Sequence, residues 1–120
     1  MATREVPTVV RRRDGAAVID LVGDVNGSAE TELEAAWADA TAGDPAVVVL
    51  NFSSAGFINS TGIALIVGML AKARAASLPL RAYGLTPHYR EIFEITRLAD
   101  FMPIEDDEDS ALDGADGSTR

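Results

Sequence analysis

The run Ala46-Val47-Val48-Val49-Leu50 constrains this chain more than any other segment. Successive side chains of a strand point to opposite faces, so five uninterrupted apolar residues leave no face suited to water and both must be covered. Such a strand belongs at the centre of a sheet with parallel neighbours, and parallel neighbours need crossover helices. The flanking segments supply them. From Ser28, read as an N-cap with Glu30 and Glu32 in the first turn, apolar residues recur at Ala29, Leu33, Ala36, Trp37 and Ala40. That spacing predicts an amphipathic helix, stopped by Gly43 and Pro45. Ser60–Ala76 carries no breaking Gly-Pro pair and ends with Lys72 and Arg74, cations that suit a helix C-terminus. Thr86-Pro87 supplies a cap and a first-turn proline for a third helix, His88 to about Leu98.

The remaining strands follow from turn chemistry. Val6–Arg11 and Ala16–Val22 flank Arg12-Arg13-Asp14-Gly15, whose Asp-Gly pair predicts an antiparallel hairpin with the arginines at a solvated tip. Leu80–Tyr83 and Phe101–Ile104 complete the set. The fold class is therefore α/β: a mixed β-sheet with an N-terminal antiparallel hairpin, element order ββαβαβαβ, right-handed crossovers and helices packed on the sheet. A short C-terminal helix over Asp106–Leu112 is a further candidate. Ala64, Gly68, Ala71 and Ala75 form a small-residue stripe on the second helix, expected to pack against a neighbouring helix of the same domain, with a partner-docking face over part of its length as the alternative.

Composition narrows the chemistry. The 120 residues suffice for one domain. Of nineteen acidic residues, seven lie in Glu105–Arg120, so residues 1–112 are expected to fold and 113–120 to form an acidic, disordered, solubilising tail. A net charge of −9 has the wrong sign for nucleic acid or an anionic membrane, and neither is expected as a partner. The absence of cysteine removes thiolate chemistry and Cys-based zinc sites, and a single histidine, His88, cannot build a His-rich metal centre. No metal, no cofactor and no enzymatic activity are expected. The opening residues have no apolar stretch of signal-peptide type, which fits a cytoplasmic location.

The most informative segment is Leu50-Asn51-Phe52-Ser53-Ser54-Ala55-Gly56-Phe57-Ile58-Asn59-Ser60-Thr61-Gly62-Ile63, a strand passing through a loop into a helix. Asn59 and Ser60 are both N-cap residue types, which sets the Ser60 hydroxyl near unpaired backbone N–H groups and the positive end of a helix dipole. A plain cap serine explains Ser60 alone. Gly62 fits either close approach of a partner or packing of the helix on its own sheet. Ser53-Ser54-Ala55-Gly56 is too short, and lacks the lysine, for a phosphate-binding loop.

Ile58-Asn59-Ser60-Thr61-Gly62-Ile63 resembles the hydrophobic-Asp-Ser-Ser/Thr-Gly-hydrophobic turn of STAS domains in bacterial anti-sigma factor antagonists, matching five of six positions. Gly23-Asp24-Val25-Asn26 and the Ile92-Phe93-Glu94-Ile95 helix extend the resemblance over roughly residues 6–112. It implies a STAS domain that binds an anti-sigma factor serine kinase and frees a sigma factor, switched off by phosphorylation at Ser60, with Thr61 the neighbouring hydroxyl. It implies partner contacts at Asn26, Asn59, Ser60, Thr61, Gly62 and Ile63, a PP2C-type phosphatase as a second partner, and a monomer or weak homodimer acting in transcription and stress response. Asn59 and Asn26 stand where the family usually has Asp. The alternative is a STAS scaffold subunit of a stress-signalling or lipid-transport complex that is not phosphorylated. A small enzyme or nucleotide-binding domain is the third reading, disfavoured by the missing Cys and phosphate loop.

Overall fold

Residues 8–113 are described by the computed structural model, and the strands lie where the apolar runs require them. The elements are β1 (Val9–Arg13), β2 (Ala16–Val25), a 3-10 turn (Gly27–Ala29), α1 (Glu30–Ala42), β3 (Val47–Ile58), α2 (Ser60–Ala75), β4 (Leu80–Tyr83), α3 (Pro87–Ile95), a second 3-10 turn (Leu98–Asp100), β5 (Ile104–Glu105) and α4 (Glu108–Ala111). They form one sheet in the order β1-β2-β3-β4-β5, antiparallel between β1 and β2 and parallel elsewhere. The mixed sheet and its hairpin are those expected, and the added C-terminal helix is present in shortened form.

Alternation along the central strands divides the interior in two. Ala17, Ile19 and Leu21 of β2 and Val48, Leu50 and Phe52 of β3 share one core with Leu33 and Trp37 of α1, Ile66 and Met69 of α2 and Phe93 of α3. Phe93, fully buried, meets Phe52 edge to face at 6.0 Å between ring centroids. Burying a side chain of this size is worth about 1.5–3 kcal/mol over leaving it exposed. The intervening residues Ala16, Val18, Val47 and Val49 turn to the other face, where Tyr83, Ala111 and Leu112 cover them. The unbroken valine run is thus buried on both sides.

Side chains hold that second cover in place. Glu108 Oε1 accepts from Arg11 Nη2 at 2.7 Å and from the Tyr83 hydroxyl at 2.5 Å, while Oε2 accepts from Arg13 Nη1 at 2.7 Å. Arg11 also grips Asp20 at 2.5 and 2.8 Å, and Asn51 donates to the same carboxylate at 2.7 Å. The Arg11 guanidinium holds Glu108 far below the usual carboxylate range, at about 2, and depresses Asp20 as well. Burial, then the hydrogen bond to Glu108, pushes the Tyr83 hydroxyl up to about 12.

Several expectations are corrected. Arg12 and Arg13 are exposed as expected, but the turn is only Asp14-Gly15, and Arg12 donates to the backbone carbonyls of Asp39 and Ala40, satisfying the C-terminal end of α1. Within the expected folded part, Glu108 and Asp109 anchor Arg11 and Arg13. Asn26, not Ser28, caps the turn before α1: its Oδ1 accepts from the Ser28 N–H at 2.9 Å and the Ser28 hydroxyl at 2.6 Å. The third helix ends at Ile95 because Arg97 takes a left-handed conformation, φ 69°, and the last strand begins at Ile104 rather than Phe101. The small-residue stripe is not covered by a neighbouring helix among the described residues. Ala64, Gly68, Ala71 and Ala75 are exposed, and a β-carbon on Gly68 would meet open space. Val6 and residues 114–120, most of the expected tail, lie outside the described residues.

Candidate functional site

The site is built where β2 and β3 outrun their neighbours. β1 pairs with β2 only as far as Asp20 and β4 with β3 only as far as Asn51, while β2 and β3 continue together through Val22↔Ser54, Gly23↔Ala55 and Val25↔Ile58. Ser53–Ile58, expected as a loop, is therefore strand. The pairing also carries two register shifts, between Asp20 and Val22 and between Gly23 and Val25, which bend the arm.

Because Val25 and Ile58 are register partners, the residues after them leave the sheet side by side. Asn59 donates its backbone N–H to the Val25 carbonyl at 3.3 Å, locking the two chain exits together. Each exit then turns on an asparagine. Asn26 caps the 3-10 turn, and Asn59, in extended conformation, caps α2 by accepting from the Gly62 N–H at 2.8 Å. An asparagine side chain does the work of aspartate here through its amide oxygen, without the charge.

Ser60 is consequently the first helical residue, not the cap. It is exposed, as are Asn59 and Thr61, and among the described residues neither the Ser60 nor the Thr61 hydroxyl has a hydrogen-bond partner. Gly62 is buried: a β-carbon there would lie 2.0 Å from the Val25 carbonyl oxygen and 3.2 Å from Ile58 Cγ2. Its smallness is required by the domain's own packing, so it sets how closely α2 lies on β2 and presents no surface to a partner. Ile63 is half-buried. Gly27 lies beside Thr61, within 3.5 Å of its methyl when a β-carbon is built on the glycine. The structure thus brings Asn26, Asn59, Ser60 and Thr61 together at one end of the sheet.

Two residues not singled out in the sequence complete the surface. Phe57 is 77% exposed at the end of the arm, and Val67 is 43% exposed on α2. With Ser60, Thr61, Ala64, Gly68 and Ala71, Val67 forms an uncharged stripe running down α2 from the serine. Ile58, the residue after Phe57, belongs to the core at 6% exposure. Consecutive large apolar residues at a strand end, Phe57-Ile58, were the available signal that one must face outward. Tyr89 gave no such signal; its hydroxyl accepts from the Ile58 N–H at 3.0 Å, tying α3 to the arm. Asp24 supports the same arm, its Oδ1 accepting from the Phe57 N–H at 2.9 Å.

The arrangement offers an exposed nucleophilic hydroxyl on the first turn of a 16-residue helix, a position that favours an added negative charge. Among the described residues no side chain hydrogen-bonds to that hydroxyl as an acid or base. His88 is exposed against the ring of Tyr89, and among the described residues no three His, Cys, Asp or Glu side chains are placed to hold a metal ion. No helix among the described residues is long and apolar enough to cross a membrane.

The STAS domain model matches residues 8–111. BtrV of Bordetella bronchiseptica, a candidate anti-sigma factor antagonist, is 29% identical over 98 residues, covering 82% of this chain and 84% of BtrV. The anti-sigma factor antagonist SpoIIAA in its unphosphorylated form superposes with a TM-score of 0.71 at 20% identity, covering 92% of this chain and 99% of SpoIIAA. The Bacillus cell fate determinant SpoIIAA in its phosphorylated form gives 0.67 at 22% identity, covering 88% and 96%. Since the match runs through the hairpin, the paired strand exits and the last helix, the chain belongs to the STAS domain family.

Proposed function

We propose that this chain is an anti-sigma factor antagonist: in the cytoplasm it binds an anti-sigma factor that is also a serine kinase, and phosphorylation of Ser60 releases it. The observation that carries the reading is the exposed, unpartnered Ser60 hydroxyl at the head of an uncharged surface stripe. An uncharged stripe left exposed among the described residues suits a packed protein contact, and a phosphate at its head adds about −1.5 to −2 charges to that contact. Desolvation and repulsion then oppose binding without refolding the domain. BtrV and SpoIIAA, a sequence relative and a fold relative, support the reading, the latter having been solved in both phosphorylation states. A PP2C-type phosphatase would reverse the modification.

One observation favours a second reading. Asn26 and Asn59 remove two carboxylates beside Ser60, and a site that keeps its caps while losing its acids fits a STAS scaffold subunit that is no longer a kinase substrate. Affinity capture from the native cells separates the two. A histidine-kinase-like ATPase that comes down with the unmodified protein supports the antagonist; a large assembly of STAS proteins without such an ATPase supports the scaffold.

A further inference from the structure

Of the three asparagines in the chain, Asn26, Asn51 and Asn59, Asn26 alone precedes a glycine. A β-carbon on the following residue screens the peptide nitrogen that an asparagine side chain faces, and glycine leaves it open. Gly27 is exposed, and its N–H has no hydrogen-bond partner among the described residues, since the Asn26 cap takes the Ser28 N–H and not its neighbour's.

The same cap prepares the acceptor. Asn26 Oδ1 receives the Ser28 N–H at 2.9 Å and the Ser28 hydroxyl at 2.6 Å. The first of these bonds closes a ring that contains both the Asn26 side-chain carbonyl carbon and the Gly27 nitrogen, holding the two on one short loop. Two donors on a carbonyl oxygen draw charge from its carbon, and they stand where an oxyanion forms when a nucleophile adds to it. Neither other asparagine has both halves. Asn51 Oδ1 accepts from the Ser53 N–H and hydroxyl in the same way, but the residue after it is Phe52, 3% exposed inside β3. Asn59 Oδ1 accepts from the Gly62 N–H alone, and the residue after it is Ser60.

We infer that Asn26-Gly27 is a modification site at which the folded protein deamidates itself. The Gly27 nitrogen gives its proton to solvent base and bonds to the Asn26 side-chain carbonyl carbon. Nδ2 takes a proton from solvent and leaves as ammonia, which closes a cyclic imide. Water then opens it: breaking the bond from the Gly27 nitrogen to the side-chain carbonyl gives aspartate, and breaking the bond to the backbone carbonyl gives isoaspartate. One water is consumed and one ammonia released, with no oxidation. Either product sets a new carboxylate beside Asn59 and Ser60, because the Asn59 N–H on the Val25 carbonyl locks the two chain exits together. The ammonia is lost to solvent, so charge at this end of the sheet grows with the age of the molecule. This chemistry goes beyond the antagonist reading and stands without it.

The test is incubation of the full folded chain at neutral pH in water enriched in heavy oxygen, with timed samples digested and mapped by electron-transfer mass spectrometry, which separates aspartate from isoaspartate. Expected are one heavy oxygen at position 26, both products, and loss of Asn26 at least tenfold faster than loss of Asn51 or Asn59. Gly27→Ala should slow the loss at least tenfold. Its β-carbon meets only the Thr61 methyl, at 3.5 Å, an ordinary contact that the fold accommodates. Ser28→Ala removes one of the two donors, keeps the backbone one, and should slow the loss at least threefold. Loss of Asn26 no faster than that of Asn51 or Asn59, aspartate without isoaspartate, or an unchanged rate in either folded variant overturns the inference.

Discussion

Replacing Glu108 by Gln removes one charge from a network that joins residues 97 positions apart in the chain. The glutamate side chain is 17% exposed and receives two arginines and a tyrosine hydroxyl. Its ionisation lies at about 2 in the folded protein against 4.5 for a free side chain. Taken whole, that depression corresponds to about 3 kcal/mol of stability. Arg11 and Arg13 keep 38% and 44% of their side chains exposed, so solvent screening lowers the expected loss to about 1–2 kcal/mol. The sign follows from the depression: the contribution is complete above pH 4.5 and disappears as pH falls from there toward 2. Trp37, the single tryptophan and 9% exposed on α1, provides the signal for equilibrium urea unfolding. Glu108→Gln should be less stable than wild type by about 1–2 kcal/mol at pH 7, with the gap narrowing at pH 3 and in high salt. A gap under about 0.3 kcal/mol at pH 7, or one of equal size at pH 3, would refute the assignment of Glu108 as the anchor of the second face.

Three further substitutions probe the parts separately. Gly62→Ala drives a β-carbon into the Val25 carbonyl and should cost about 2 kcal/mol or more in urea unfolding, since backbone rather than a flexible side chain must move. Gly68→Ala meets open space on an exposed helix face and should stabilise by about 0.5–1 kcal/mol in the same assay. Phe57→Ala, at a side chain 77% exposed, should leave the melting temperature within a degree or two while weakening the captured partner's binding at least tenfold, read by calorimetry.

The parts of the fold that were legible in the sequence are those fixed by short-range patterning. Val47–Leu50 and Leu80–Tyr83 emerge as strands, and Thr86-Pro87 starts α3, because apolar runs and capping chemistry act within a few residues. The arm was not legible. Ser53-Ser54-Ala55-Gly56 has poor intrinsic strand character, and its extended state comes from pairing with β2, a non-local gain. The same holds for the arginines: what Arg11 and Arg13 meet is decided by the docking of α4, which no local spacing reveals. At the candidate site, the Asn59-Ser60-Thr61 turn could be read directly. Its surroundings could not, because whether the Ala64–Gly68–Ala71 stripe is covered depends on where α1 and α3 come to lie.

The central claim is that Ser60 is the switch. Incubating the protein with its captured anti-sigma factor and ATP, then mapping phosphate by peptide mass spectrometry alongside a binding titration, tests it most directly. One phosphate on Ser60, loss of binding by the modified protein, no labelling of Ser60→Ala and near-normal labelling of Thr61→Ala are the predicted results. Phosphate on Thr61 in place of Ser60, wild-type labelling of Ser60→Ala, or undiminished binding by the Ser60-phosphorylated protein would contradict the account.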